Sequence, residues 1–167
     1  VHANEVAARP GAGPRHIDFH PRRAFAYVIN ELDSTITTYR QDRASGKLTP
    51  LQTVPSTPSE FTGYSTGAEI AVDRAGRNVY VSNRGHDSIA VFGVDDVSGK
   101  LTFIGTQSTR GKWPRNFQID PTGNWLIVAN EHSNDLFVFK IDQSTGQLTP
   151  TDSRIEVPAP SCVRFTH

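Results

Sequence analysis

An all-β fold is what this sequence predicts: a β-propeller of four-stranded antiparallel blades, about three of them. Three observations predict it. Two independent landmarks recur with the same spacing: Asn30, Asn83 and Asn130 stand 53 and 47 residues apart, and so do Gly46, Gly99 and Gly146. Each repeat alternates apolar and polar residues with period two, the mark of half-buried strands. No stretch carries a convincing period of 3.6. Four short strands repeating at this length match propeller blades of about 40–50 residues. A sandwich also has many short strands, but it does not need repeating landmarks.

The elements follow in order within each repeat. The first strand is marked by Ile17 and Phe19, Ile70 and Val72, and Phe117 and Ile119, each pair two residues apart. The turn after it carries Pro or Gly: His20-Pro21-Arg22, Arg74-Ala75-Gly76, Pro121-Thr122-Gly123. The second strand is nearly all β-formers, over residues 25–29, 79–82 and 125–128. Such a continuous apolar run implies that both of its faces are covered. An alternating third strand follows, over residues 34–40, 88–93 and 135–141. A Gly turn then leads to the fourth: Ser45-Gly46-Lys47, Ser98-Gly99-Lys100, Thr145-Gly146-Gln147. The blades are expected at residues 13–54, 67–106 and 113–155, joined by loops at 55–66 and 107–112. Residues 1–12 are expected to be an N-terminal remnant, and 13–167 one partial propeller domain with a C-terminal closing strand.

Composition narrows the classes. At 36% hydrophobic residues the chain can build a core. Seventeen basic residues balance seventeen acidic ones, so no nucleic-acid or polybasic membrane partner is expected. No apolar run approaches the roughly 18 residues of a transmembrane helix, and residues 1–10 do not read as a signal peptide. The single cysteine, Cys162, excludes an internal disulfide framework and a Cys-rich zinc site, and favours a cytoplasmic location. It falls in the expected closing strand, where a small buried residue is the expectation. With no methionine, the chain is expected to be a processed product or a piece of something longer. The six histidines show no metal-ligand spacing, so neither metal nor other cofactor is expected.

Strand direction places the chemistry. The first two strands of a blade are antiparallel, so the start of one and the end of the other share a face. Arg15 and His16 there meet Asn30 and Glu31; Glu69 meets Asn83, Arg84 and His86; Arg115 and Asn116 meet Asn130, Glu131 and His132. The opposite face receives Arg22, Arg23, Arg74, Arg77, Lys47 and Lys100, expected to be a solvated surface, with His20 in its turn. The recurring asparagines are expected to cap the turn after the second strand. Arg84 and His86 break the Asn-Glu pattern of the other two repeats, so repetition explains them least, and Arg84 ranks first among the candidates.

These stretches resemble a known family. Gly11-Ala12-Gly13-Pro14-Arg15-His16, Asn30-Glu31-Leu32-Asp33-Ser34-Thr35, Asn83-Arg84-Gly85-His86-Asp87-Ser88 and Trp113-Pro114-Arg115-Asn116-Phe117 are similar to the seven-bladed lactonase family. It includes propeller-type 6-phosphogluconolactonases and, in a fungal branch, carboxy-cis,cis-muconate cyclase. The resemblance runs from Gly11 nearly to the end, where Val157 to Phe165 resembles the family's ring-closing strand. It implies a site with an Arg before the first strand and a Glu after the second, here Arg15 and Glu31. A further arginine corresponds to Arg84. A histidine of the preceding blade has its counterpart in His2 or in a blade this chain does not hold. His2-Ala3-Asn4-Glu5-Val6 resembles the start of that blade. A seven-bladed ring at about 47 residues per blade needs more than about 300 residues. Three blades are therefore an open arc, expected to be inactive alone and to be completed by missing N-terminal blades or by a homodimer.

Hydrolysis of a phosphorylated sugar lactone needs a cation for the phosphate, donors for the oxyanion and a base for water. Arg15, Arg84 and Arg115 suit the first role, because guanidinium forks match phosphate and carboxylate. His16, His86, Glu31 and Glu69 are the acid–base candidates, the histidines favoured because a carboxylate beside an Arg is a weak base. The expected reaction is 6-phosphogluconolactone to 6-phosphogluconate, in carbohydrate metabolism. A muconate-type lactonising cycloisomerase and a non-catalytic binding propeller are the alternatives.

Overall fold

A computed structural model describes residues 5–165. Twelve strands are present among them, in three four-stranded antiparallel sheets. The first blade holds β1 (Pro14–Phe19), β2 (Phe25–Asn30), β3 (Thr35–Gln41) and β4 (Leu48–Pro55). The second holds β5 (Thr66–Val72), β6 (Asn78–Arg84), β7 (Ser88–Val94) and β8 (Leu101–Ser108). The third holds β9 (Pro114–Ile119), β10 (Trp125–Asn130), β11 (Asp135–Ile141) and β12 (Leu148–Glu156). Strand order in each sheet follows chain order, and the bounds fall within two residues of those expected.

The second strands show why their sequences are apolar throughout. Phe25, Tyr27 and Ile29 of β2 face the seam with the second blade, where they join Ile70, Val79, Val81, Phe92 and Leu101. The intervening Ala26 and Val28 pack with Tyr39 on the other side of the sheet. In β6 the same alternation sends Val79 and Val81 to one seam and Tyr80 to the next, beside Phe117, Leu126, Val128, Phe137 and Phe139. The two seams together therefore carry most of the apolar burial, worth about 1.5–3 kcal/mol per fully buried large side chain. In β10 only one face has a partner blade, and Trp125 on the other is 40% exposed.

Hydrogen bonds repeat along with the core. Tyr27 donates its hydroxyl to the Gly99 carbonyl (3.2 Å), and Tyr80 donates to Gly146 (2.8 Å), each from one blade to the Gly turn of the next. Those Gly turns are three copies of one structure. In each the glycine N–H donates to an Asp carbonyl four residues earlier, Asp42, Asp95 or Asp142. The glycines need φ of +73°, +73° and +76°, a region that costs other residues steric strain. The Asp side chain accepts the turn's free N–H groups; at Asp142 the Ser144 hydroxyl and then the Thr145 and Ser144 amides hold the carboxyl down at about 2.

Two placements differ from expectation. His20 is 5% exposed, not a surface residue. Its Nδ1 accepts the N–H groups of Arg22 (3.1 Å) and Arg23 (3.0 Å), the task Asp73 and Asp120 perform in the other two blades, and the Gly76 backbone of the second blade packs on its ring. Burial lowers its pKa. Cys162 is exposed and lies in no strand, because the stretch after β12 crosses to β9 with little regular pairing of its own.

Candidate functional site

The three inner strands β1, β5 and β9 begin at one face, the mouth, and all three carry the same irregularity. Pro14 pairs with Asn30 and His16 with Ile29; Gly67 pairs with Asn83 and Ile70 with Val81; Pro114 pairs with Asn130 and Asn116 with Ala129. In each case two residues oppose one, a bulge of the kind that re-aims side chains. The register makes His16, Glu69 and Asn116 equivalent, with Arg15, Ala68 and Arg115 one place earlier. Aligning Gly67 with Gly13, as the sequence invites, shifts the second blade by one residue; the register aligns Gly67 with Pro14.

The three equivalent residues are hydrogen-bonded in a row across the blades. His16 Nδ1 lies 2.7 Å from Glu69 Oε1. Glu69 Oε1 also accepts the Ile70 N–H (3.1 Å), and Oε2 accepts the Asn116 amide. Asn116 Oδ1 in turn accepts the Val163 N–H at 2.8 Å. Glu69 and Asn116 are buried, whereas the His16 side chain is 40% exposed.

Beside this row sits an arginine cluster. Glu31 accepts from Arg84 Nη2 at 2.5 Å and lies 3.6 Å from Arg15 Nε. Arg15 also donates to the Ala68 carbonyl (2.7 Å), and its Nη1 is 3.4 Å from His16 Nε2. Arg115 pairs with Glu131 at 3.1 Å. The hydrogen bond from Arg84, and the charges of Arg84, Arg15 and Arg115, hold the Glu31 carboxyl below its usual range. Burial, and then repulsion from Arg84, lower the Arg15 pKa, with Glu31 opposing and Arg115 adding to the repulsion. The three guanidinium groups thus share one field.

The cluster has an inside and an outside. Arg84 is almost wholly buried, donates to the Gly67 carbonyl as well as to Glu31, and keeps a buried Nε without a partner among the described residues. The Arg115 side chain is 39% exposed. His86 stands apart: its Nδ1 bonds the Ser88 hydroxyl (2.6 Å) and its ring meets the edge of Phe61. Two of the recurring asparagines, Asn30 and Asn130, span the turn after the second strand, whereas Asn83 ties to the loop after β4. Asn30 donates to Thr35, Asn83 to the Ser56 carbonyl and Asn130 to Asp135. His2 lies outside the described residues.

Two features escape a reading of side-chain chemistry alone. Trp113 lies beneath the Arg84 guanidinium (5.4 Å) and stacks on His132 (4.7 Å, 8° between planes). Its φ is +64°, where the first blade has Gly13 at +65°. A bulky residue rarely adopts that conformation. Here it is held by the Trp113 N–H on Asp87 Oδ1 (2.8 Å) and the Glu131 N–H on the Trp113 carbonyl (3.0 Å). The match of Trp113 to Gly13 in the repeat was the available signal. The second feature, the Val163 N–H on Asn116, is a backbone donor and leaves no mark in residue types.

Comparison with known proteins agrees with this architecture. A family model described as "Lactonase, 7-bladed beta-propeller" matches residues 1–165. The 6-phosphogluconolactonase of Bacillus subtilis is 47% identical over 95% of this chain and 45% of its own length. That of Pectobacterium carotovorum is 42% identical, over 87% of this chain and 44% of its own. The solved structure of the periplasmic gluconolactonase of Pseudomonas aeruginosa superposes with a TM-score of 0.91 at 36% identity, covering 97% of this chain and 45% of that one. This chain therefore spans about half the length of the relatives it matches. Among the described residues no helix is long and apolar enough to cross a membrane. With matched sequence, matched blades and a family model covering nearly its whole length, the chain belongs to the seven-bladed β-propeller lactonase family.

Proposed function

We propose that the protein hydrolyses 6-phosphogluconolactone to 6-phosphogluconate and that the mouth of the inner strands is part of its active site. The observation that carries this reading is the gathering of Arg15, Arg84 and Arg115 in one field beside an exposed imidazole. Arg115, with the most exposed guanidinium, and Arg15 bind the phosphate. Arg84 is a buried post that holds Glu31, Glu31 orients Arg15, and Glu131 orients Arg115; a carboxylate with its pKa lowered by neighbouring arginines is a poor base. His16 is the base. Its Nε2 takes a proton from water as the oxygen attacks the lactone carbonyl. The ring C–O bond then breaks, and the departing alkoxide receives the proton. His86, bonded to Ser88, and Glu69, with both oxygens occupied, stay out of the proton path.

The relatives named as lactonases support the reaction class. The phosphate preference rests on the arginines. The sheet faces left without a blade, with Ile17 and Phe19 exposed at one end and Trp125 at the other, are read as seams for further blades, from the same longer chain or from a second copy. The single cysteine keeps the cytoplasmic reading, beside a solved relative that is periplasmic.

The test is an assay of full-length protein on 6-phosphogluconolactone, on unphosphorylated gluconolactone and on a muconate-type diacid. The reading expects hydrolysis well above the spontaneous rate, a preference for the phosphorylated lactone, and no turnover of the diacid. Lactone decay at the spontaneous rate would overturn it.

A further inference from the structure

The row of hydrogen bonds across the inner strands has a direction. A guanidinium only donates, so Arg15 Nη1 facing His16 Nε2 at 3.4 Å calls for a lone pair on Nε2. An ionised carboxylate only accepts, so Glu69 Oε1 at 2.7 Å calls for a proton on Nδ1. Both neighbours select the same tautomer. Glu69 cannot turn away, because its second oxygen is bound by the Asn116 amide and its first also accepts the Ile70 N–H. Asn116 cannot flip either. Its NH2 meets a carboxylate and its oxygen meets the Val163 N–H, and reversal would set acceptor against acceptor and donor against donor.

We propose that Asn116 and the C-terminal stretch at Val163 are positioning elements for His16, acting through Glu69. They lock the Glu69 carboxylate, which fixes the imidazole as its Nδ1–H tautomer and leaves the Nε2 lone pair at the mouth held only by the long Arg15 contact (3.4 Å), which water displaces when Arg15 turns to the phosphate. The residue nearest the chemistry belongs to the first blade, yet its orientation depends on a backbone N–H that arrives after the third. Packing of the C-terminal stretch against β9 is thereby tied to the competence of the base. The idea deepens the lactonase reading and rests on His16 being the proton acceptor there, but the tautomer can be read without turnover.

The experiment labels the histidines of the full-length protein with nitrogen-15. It records long-range proton–nitrogen correlations at a pH where the imidazole is neutral, for wild type, Asn116→Leu and Val163→Pro. Asn116→Leu removes the bridge at similar size. Val163→Pro removes the terminal N–H donor, at the cost of a fixed φ there, and leaves Asn116 in place, so a folding defect in one variant does not decide the matter. Wild type is expected to show Nδ1–H at His16, and both variants are expected to gain the Nε2–H form. In the hydrolysis assay both variants should lose roughly tenfold or more in kcat, the lower end for residues that orient a functional histidine, with KM unchanged. An Nε2–H signal in wild type, or an unchanged Nδ1–H signal in both variants, overturns the proposal. A tautomer that responds as expected in a protein that never exceeds spontaneous hydrolysis supports the relay and sinks the lactonase reading instead.

Discussion

At the turn end of the inner strands the blades repeat one chemistry, whereas at the mouth end one register position holds His16, Glu69 and Asn116 in turn. At the turn end, Arg74 donates to the Pro121 carbonyl (3.0 Å) and Arg77 to the Gln143 carbonyl (2.7 Å), from the second blade to the third. Arg22 donates to the Ala75 carbonyl and Arg23 pairs with Asp96, from the first blade to the second. All are exposed, and all do the same mechanical job of tying a turn to the next blade. At the mouth the charges are partly buried, differ between blades and are joined into networks. A propeller needs every blade to stack alike, so selection for folding produces repetition. His20 departs from Asp73 and Asp120 yet keeps their task of accepting the turn's N–H groups; residues that break the repetition and share no common task answer to something other than stacking. The difference between the two ends is the physical argument for placing chemistry at the mouth.

The largest expected effect breaks the mouth without touching the scaffold. His16→Gln should lower kcat by about 10²–10⁴-fold, the usual contribution of a general base, while the unfolding midpoint stays within a degree or two of wild type. Steady-state kinetics and thermal denaturation check the two halves together.

The next contrast lies within the turn end. Gly76 and Gly123 occupy equivalent turns with φ of +72° and +78°. A Cβ at Gly76 would stand 2.3 Å from the His20 ring, whereas one at Gly123 meets nothing within 4 Å. Gly123→Ala should cost about 1–2 kcal/mol from backbone strain alone. Gly76→Ala should cost about 1–3 kcal/mol more, from overpacking against the ring. Urea denaturation of the two variants measures the difference. Smaller still, Tyr80→Phe should lose about 1 kcal/mol with the hydrogen bond to Gly146 and leave turnover unchanged.

The fold was open to sequence reasoning because it rests on patterns that repeat: alternation, two spaced landmarks and punctuating glycines. The site was legible in part. Strand direction brought Arg15, Glu31, Arg84 and Arg115 to one face, and they do share a field. It also put His86 there, which turns to Ser88 and Phe61 instead, because a residue two places past the strand is aimed by its loop. Breaking the repeat ranked Arg84 first, but breaking a repeat does not report burial, and Arg84 is the least accessible of the three arginines. The equivalence of His16 and Glu69 follows from the 53-residue spacing of the landmarks, and matching Gly67 to Gly13 obscured it by one residue. His20 was hidden differently: the match of His20 to Asp73 and Asp120 was present in the repeat, and only its acceptor role needed recognising.

The mouth should also be more acid-sensitive than its exposed neighbours suggest. Glu31 has a lowered pKa, so the folded state favours its charged form. That contribution is fully present above the ordinary value of 4.5 and fades as pH falls through the lowered one. Glu31→Gln should therefore flatten the fall in urea midpoint below about pH 4.5. The turn aspartates, common to both proteins, supply the slope that remains.

The central claim, that the mouth and not the turn end carries the chemistry, is tested most directly by making one substitution at both ends. Arg115 and Arg74 are both arginines of the inner-strand region, one at the mouth and one in the turn after β5. KM for 6-phosphogluconolactone should be measured for Arg115→Ala and Arg74→Ala in full-length protein. The account predicts a rise of about tenfold or more for Arg115→Ala, the loss of one charge-assisted contact, and no change for Arg74→Ala. Equal effects of the two substitutions, or a larger one at Arg74, would contradict it.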